Sequence, residues 1–171
     1  ALERVEEGPG ADRIIAVTGT AGKSTTAAMI HAGLSGAGVP TVLGGNIGGS
    51  LLTHLDDVRA AKAAVLELSS AQLHWLRTTP LAPAVAVVTT FAPNHLDWHG
   101  ELDHYRESKR SILRDARHAV LGPSVSDWPA PHARTLITEP LTAPLRTPGA
   151  HNRLNAALAL AAIRAFGADA D

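Results

Sequence analysis

The chain has no cysteine, which excludes disulfides and thiolate metal sites and fits a reducing cytoplasm. It has no excess charge of either sign. The formal net charge is −1, and no basic stripe marks a nucleic-acid partner. No apolar run reaches the ~18 residues that a membrane span needs, so membrane insertion is not expected. The opening Ala1-Leu-Glu-Arg-Val-Glu-Glu7 is acidic and lacks the basic-then-apolar order of a signal peptide. Lysine is scarce as well: Lys23, Lys62 and Lys109 are the only three among 171 residues.

What remains is a globular composition, 45% hydrophobic, at a length suited to one domain with a buried core. Gly8-Pro-Gly10 sets off residues 1–12 as a linker or the tail of an earlier unit. Strands are expected at Arg13–Thr18, Thr41–Leu43, Lys62–Leu68, Ala84–Thr90 and His118–Leu121. Short strands are expected near Thr135–Ile137 and Thr142–Leu145. Helices are expected at Lys23–Ala37, Ser50–His54, Ser69–Arg77, Glu101–Arg117 and His151–Phe166. This alternation predicts an α/β fold, P-loop NTPase-like, with a mostly parallel sheet and helices on both faces. Ligands of such sheets bind at the carboxyl ends of the strands. Gly19–Thr25, Gly45–Gly48, Glu67–Gln72 and Thr90–His99 all follow predicted strands.

The strongest signal is Ala16-Val-Thr-Gly-Thr-Ala-Gly-Lys-Ser-Thr25, a glycine-bearing turn between an apolar strand and a helix. Amides of Gly19, Thr20, Ala21, Gly22, Lys23, Ser24 and Thr25 can close around phosphate oxygens. Lys23 neutralises charge, and Ser24 or Thr25 can face Mg²⁺. A standard phosphate loop carries glycine five residues before the Gly-Lys pair, where this chain has Val17. ATP is therefore the expected ligand, in a variant of the usual loop.

Glu67 ends an apolar strand, where an acid can hold Mg²⁺ or simply face solvent. His95 and His99 flank Asp97, which raises a zinc reading. A single histidine joining an Mg²⁺ site that already holds phosphates is the competing one. Lys109 falls within the apolar stripe Leu102, Tyr105, Ile112, Leu113 and Ala116. Buried there, it must snorkel, pair or lose its charge, and composition favours snorkelling. A neutral amine would also react with CO₂ to give a carbamate. Asn152 and Asn155 stand one turn apart, as a helix cap or as two amides facing a base. Gly45–Gly48 reads as a turn, and Ser69, Ser70 and Gln72 as a cap with a surface amide.

Together these residues resemble the central ATP-binding domain of the Mur ligases. Thr18–Thr25 is similar to the family's Thr-Gly-Thr-Asn-Gly-Lys-(Ser/Thr)-Thr loop. Glu67–Leu73 is similar to Glu-Leu-Ser-Ser-Phe-Gln-Leu, and Asn94–Gly100 to Asp-His-Leu-Asp-Arg-His-Gly. Tyr105–Lys109 matches the helix bearing the family's carbamylated lysine, and His151–Ala156 resembles the adenine-contacting His-Asn-x-x-Asn-Ala. The chain departs from these patterns at Ala21, Ala71, Asn94 and Trp98, which replace asparagine, phenylalanine, aspartate and arginine.

The resemblance implies ATP-dependent amide ligation in peptidoglycan synthesis, with residues 13–167 as the central domain. Residues 1–12 and 168–171 would be ends of linkers to flanking domains. Lys23 and the loop would hold ATP phosphates, and Asn152 and Asn155 the adenine. Ser24 and Glu67 would share one Mg²⁺, and His95 with carbamylated Lys109 a second. Lys23, His95 and Lys109 would be catalytic. Asn46, Ser70 and Gln72 would face a UDP-linked muramoyl substrate. Gly45–Gly48 with Glu67–Leu73 resembles the branch that joins D-glutamate to UDP-N-acetylmuramoyl-L-alanine. A non-catalytic nucleotide-binding module and a folate-type ligase are the competing readings, and Gly45–Gly48 argues against the second.

Overall fold

A computed structural model describes residues 10–48, 50–79, 81–130 and 132–167. The linker assignments for residues 1–9 and 168–171 lie outside the described residues. Six strands form the sheet: β1 Ile14–Thr18, β2 Thr41–Gly45, β3 Ala63–Glu67, β4 Val85–Val88, β5 His118–Leu121 and β6 Ala133–Leu136. Their order is β2-β3-β1-β4-β5-β6, and every pairing is parallel. The helices are α1 Lys23–Gly36, α2 Leu55–Ala60, α3 Ser70–Leu76, α4 Leu96–His99, α5 Leu102–Arg110 and α6 Ala150–Phe166.

Side chains alternate across the sheet and build two cores. Ile15, Val17, Val65, Val85, Val87 and Val120 face α1 and α6, meeting Ile30, Leu34, Leu158 and Ile163. Ala16, Ala86 and Ala119 lie side by side in register on the opposite face. These small residues let the α3–α5 layer come close, so that Leu73, Ile112 and Leu113 fill the second core. Both faces are covered, which is why the strands read as continuous apolar runs.

The chain runs from β1 outward to β2, returns to β3, then crosses to β4 on the other side of β1. The connections therefore reverse direction around β1, and ligands bind at such a switch point. The loops after β1, β2, β3 and β4 converge there.

Several elements differ from expectation. The helix expected over Glu101–Arg117 is α-helical only to Arg110, then tightens into a 3₁₀ turn at Ser111–Leu113. The hydroxyls of Ser108 and Ser111 donate to the carbonyls of His104 (2.7 Å) and Ser108 (2.8 Å), in competition with the backbone ladder. Residues 51–53 form a 3₁₀ turn rather than the helix expected over Ser50–His54, and α2 follows, unanticipated. The strand expected near Thr135–Ile137 lies at Ala133–Leu136, and Thr142–Leu145 forms none.

Candidate active site

The phosphate loop is shaped by two glycines and held by its neighbours. Val17, at the position of the usual first glycine, is fully buried inside β1, so the turn starts later. Gly19 adopts φ +148° and Gly22 φ +82°, regions that glycine enters without strain. A Cβ on Gly19 would lie 2.0 Å from Thr89 Oγ1, and one on Gly22 would lie 2.4 Å from Asn155 Oδ1. The loop is thus pressed between β4 and α6.

Hydrogen bonds fix its path. Thr89 Oγ1 and Thr90 Oγ1 both donate to the Ala21 carbonyl, at 2.5 and 3.1 Å. Thr90 Oγ1 also accepts from Ala21 N at 2.9 Å. The Thr20 hydroxyl donates to the Ala92 carbonyl at 3.1 Å and lies 3.0 Å from the Tyr105 hydroxyl. Gly22 caps α1 without a side chain, so the first amides of that helix face the loop. Lys23 donates only a 3.3 Å bond to the Thr20 carbonyl, and Ser24 is exposed at the helix start. An anion has amides, a cation and a hydroxyl to meet here.

Lys109 does not snorkel. Only 2% exposed, it donates a 2.7 Å hydrogen bond to the Gly19 carbonyl and lies 4.8 Å from the Tyr105 ring centre. Burial, followed by the neighbouring Lys23 charge, lowers its pKa to about 7, against a smaller upward pull from Glu67. Its amine is therefore substantially neutral at neutral pH.

Glu67 is 1% exposed at the end of β3. Oε1 accepts from Asn46 Nδ2 at 3.4 Å, while Oε2 is buried with no hydrogen-bond partner. A buried carboxylate oxygen left bare fits a cation ligand. Gly45 brings the β2 loop close enough for this contact, with φ +93° and no space for a Cβ against the Glu67 backbone.

His95, exposed and left-handed at φ 52°, precedes α4. Its ring centre lies 6.2 Å from that of Tyr105. His99 is buried, its ring held by Ser70 and His104. The ring nitrogens of His99 are thus engaged by Ser70 and His104, which counts against the zinc reading of His95, Asp97 and His99. Among the described residues no three His, Cys, Asp or Glu side chains could hold a metal ion together. The ligand sets read from the sequence, Ser24 with Glu67 and His95 with Lys109, supply two side chains each and leave positions for phosphate oxygens.

The remaining candidates divide. Asn152 and Asn155 are both buried, on one side of α6. Asn152 does not cap the helix, because Gly149 occupies that position; its Nδ2 donates to the Pro148 carbonyl at 2.7 Å. Gln72 forms a capping box with Ser69: its Oε1 accepts from Ser69 N at 2.9 Å, and Ser69 Oγ accepts from Gln72 N at 3.2 Å. Ser70 opens instead on a pocket of about 280 Å³ lined by Ser69, Ala71, His95, Asp97, Trp98 and His99. Thr89, Thr90 and His104 carry no sequence signal of their own, since only their tertiary partners give them a role.

Fold and site together give a six-stranded parallel α/β domain with a glycine-shaped, P-loop-like turn after β1 and a buried carboxylate at the end of β3. The Mur ligase middle domain family matches residues 17–123, and the chain belongs to that family. It is 46% identical over 110 residues to the UDP-N-acetylmuramoylalanine–D-glutamate ligase of Mycobacterium avium (strain 104), covering 64% of this chain and 22% of that protein. The ligase of the same name from Cereibacter sphaeroides (strain ATCC 17029) is 46% identical over 112 residues, covering 64% and 23%. The chain thus spans less than a quarter of the length of these relatives.

Among solved structures, a UDP-N-acetylmuramoyl-L-alanyl-D-glutamate–2,6-diaminopimelate ligase superposes with a TM-score of 0.75 at 24% identity, over 92% of this chain and 44% of that one. Escherichia coli FolC, in complex with DHPP and ADP, gives 0.61 at 17% identity over 100% and 60%. At these identities the likeness establishes the fold. Among the described residues no helix is long and apolar enough to cross a membrane.

Proposed function

We propose that this domain is the ATP-binding core of a cytoplasmic ligase that joins D-glutamate to UDP-N-acetylmuramoyl-L-alanine in peptidoglycan synthesis. The observation that carries the reading is the convergence of Lys23, the bare carboxylate oxygen of Glu67 and the buried Lys109 around the Gly19–Gly22 turn. The 46% identity to D-glutamate ligases supports the choice of amino acid. Because the chain spans only 22% of such a relative, the UDP group and D-glutamate are assigned to flanking domains of the same protein.

In this reading a substrate carboxylate oxygen attacks the γ-phosphorus of ATP and ADP departs, leaving an acyl phosphate. The amine of D-glutamate then attacks the carbonyl carbon, phosphate leaves, and the amine loses its proton. Magnesium supplies charge stabilisation to the transferring phosphoryl group. The loop amides and Lys23 hold phosphate oxygens, and Ser24 with Glu67 supplies the ligands of one ion. The neutral Lys109 amine would add to CO₂ and release one proton, and the resulting anionic carbamate would hold a second ion together with His95. Asn152 and Asn155 hold adenine through amide groups on one side of α6. Asn46, Ser70 and Gln72 lie toward the acid substrate. For Gln72 that leaves only the amide nitrogen, since its oxygen belongs to the cap.

The test is D-glutamate-dependent phosphate release by the full-length protein with UDP-N-acetylmuramoyl-L-alanine and ATP. No release from the folded protein removes the assignment. Lys109→Ala is expected to abolish turnover, unrescued by bicarbonate and partly rescued by a short-chain carboxylic acid. Unchanged turnover returns Lys109 to a packing role.

A further inference from the structure

Three histidines from separate segments form a hydrogen-bonded chain that ends on Ser70. Ser70 Oγ lies 2.9 Å from His99 Nε2, His99 Nδ1 lies 3.1 Å from His104 Nδ1, and His104 Nε2 lies 2.9 Å from His74 Nδ1. The two nitrogens of His104 serve different neighbours, so the three rings form a line and not a metal-binding cluster. Trp98 packs edge-on against His99 at 4.4 Å and against His74 at 5.5 Å, walling the line from one side.

One contact sets the direction of the whole line. His104 Nδ1 also lies 3.1 Å from the His99 backbone carbonyl, which only accepts. His104 Nδ1 must therefore carry a hydrogen. A hydrogen on His99 Nδ1, 3.1 Å away, would meet that N–H donor to donor, so His99 Nδ1 presents a lone pair. The proton of neutral His99 is left on Nε2, where it donates to Ser70 Oγ. With its oxygen accepting from His99, the Ser70 hydroxyl directs its own hydrogen elsewhere, and Ser70 lines the pocket shared with His95. In neutral His104, Nε2 accepts from His74 Nδ1–H. A charged His104 would reverse only this outermost link. Burial, then the charges of His104 and Lys109, disfavours the charged form of His99. Burial and Arg77 do the same for His74.

We propose that His104 and His74 are positioning residues: acting through His99, they fix Ser70 as a hydrogen-bond donor to an anionic oxygen of the acid substrate. The proposal rests on the ligase reading for the identity of that acid. A hydroxyl free to rotate would offer lone pairs as readily as its hydrogen, and lone pairs repel a carboxylate. Held by His99, Ser70 has one lone pair occupied and its hydrogen turned away from His99, which biases it toward donation. The device lies at the acid pocket and not at the phosphate loop, so it separates recognition of the two substrates.

Two experiments on the full-length protein decide it. Long-range ¹H–¹⁵N spectra of ¹⁵N-histidine-labelled protein at pH 8 should give His99 as the Nε2–H tautomer, and His74 and His104 as Nδ1–H. An Nδ1–H His99 overturns the proposal, whatever the enzyme's activity. In the ligase assay, His104→Leu should raise KM for UDP-N-acetylmuramoyl-L-alanine about tenfold and leave KM for ATP unchanged. His104→Asn keeps a donor at the Nδ1 position and should stay within about threefold of the wild type. Ser70→Ala should raise the same KM and make it insensitive to His104→Leu. Equal impairment in the Leu and Asn variants, or a matching rise in KM for ATP, overturns the positioning role. If the wild type does not ligate this acid, the ligase reading falls while the tautomers still decide the chain. If His104→Leu does not fold, the spectra and the Asn variant decide it.

Discussion

At the nucleotide end, Gly19 and Gly22 leave no room for a Cβ beside Thr89 and Asn155, and the loop is held mainly through backbone carbonyls and amides. At the Ser70 pocket, Ser70, His99, His104 and His74 meet through side chains contributed by α3, α4 and α5. The first end needs particular residues because only they permit the backbone shape. The second needs them because of where their protons lie. Substitution at the Gly19–Gly22 turn should therefore disturb folding and catalysis together, whereas at the Ser70 pocket the two effects should separate.

Glu67→Gln should give the largest effect and break the coupling from the other side. We expect turnover to fall by at least about 100-fold, because the metal ligand proposed there loses its charge. In magnesium-free buffer the melting temperature should rise by a few degrees, because a bare buried carboxylate is replaced by a neutral amide. A lower melting temperature would make Glu67 a structural residue.

Lys109 supplies the next effect. Its pKa is about 7 in the fold against 10.5 unperturbed. Between these values the unfolded chain binds a proton there and the folded chain does not, so stability should increase as pH rises through that window. Relative to Lys109→Met, the wild type should gain on the order of 2–3 kcal/mol between pH 7 and 9.5, read from denaturant midpoints. Parallel profiles for the two proteins would mean that the buried amine titrates normally.

Gly22→Ala should cost about 2 kcal/mol, combining left-handed strain with contact against Asn155. In an Asn155→Ala background the penalty should fall to about 1 kcal/mol, leaving the backbone part alone. An unchanged penalty would assign all of it to φ. Smallest is Trp75→Ala: this ring is 73% exposed on the outer face of α3, and stability should change by less than about 0.5 kcal/mol. A larger loss would extend the histidine line to include its edge-on contact with His74.

The core elements were legible because a sheet covered on both faces demands apolar runs, and β1, β3, β4 and β5 supply them. Where that demand lapses, the reading weakens. Edge strand β6 carries exposed Ala133, Arg134 and Leu136, so its position was displaced by about two residues. Short helix α2 has no buried residue to create a periodic signal. The end of α5 depended on two serine hydroxyls turning back to the backbone. In the site, Gly19–Thr25 and Glu67 announced themselves by residue type and place after a strand. His74 and His104 carried no motif.

The sequence by itself determined the phosphate loop, the alternating α/β order and the family, because glycine conformation, hydrophobic period and local motif are properties of neighbouring residues. Tertiary structure alone decided that Lys109 turns inward to Gly19, that Glu67 Oε2 is bare, and that His99 is held by Ser70. Each depends on contacts between segments far apart in the chain, which packing of the α3–α5 layer brings within hydrogen-bond reach.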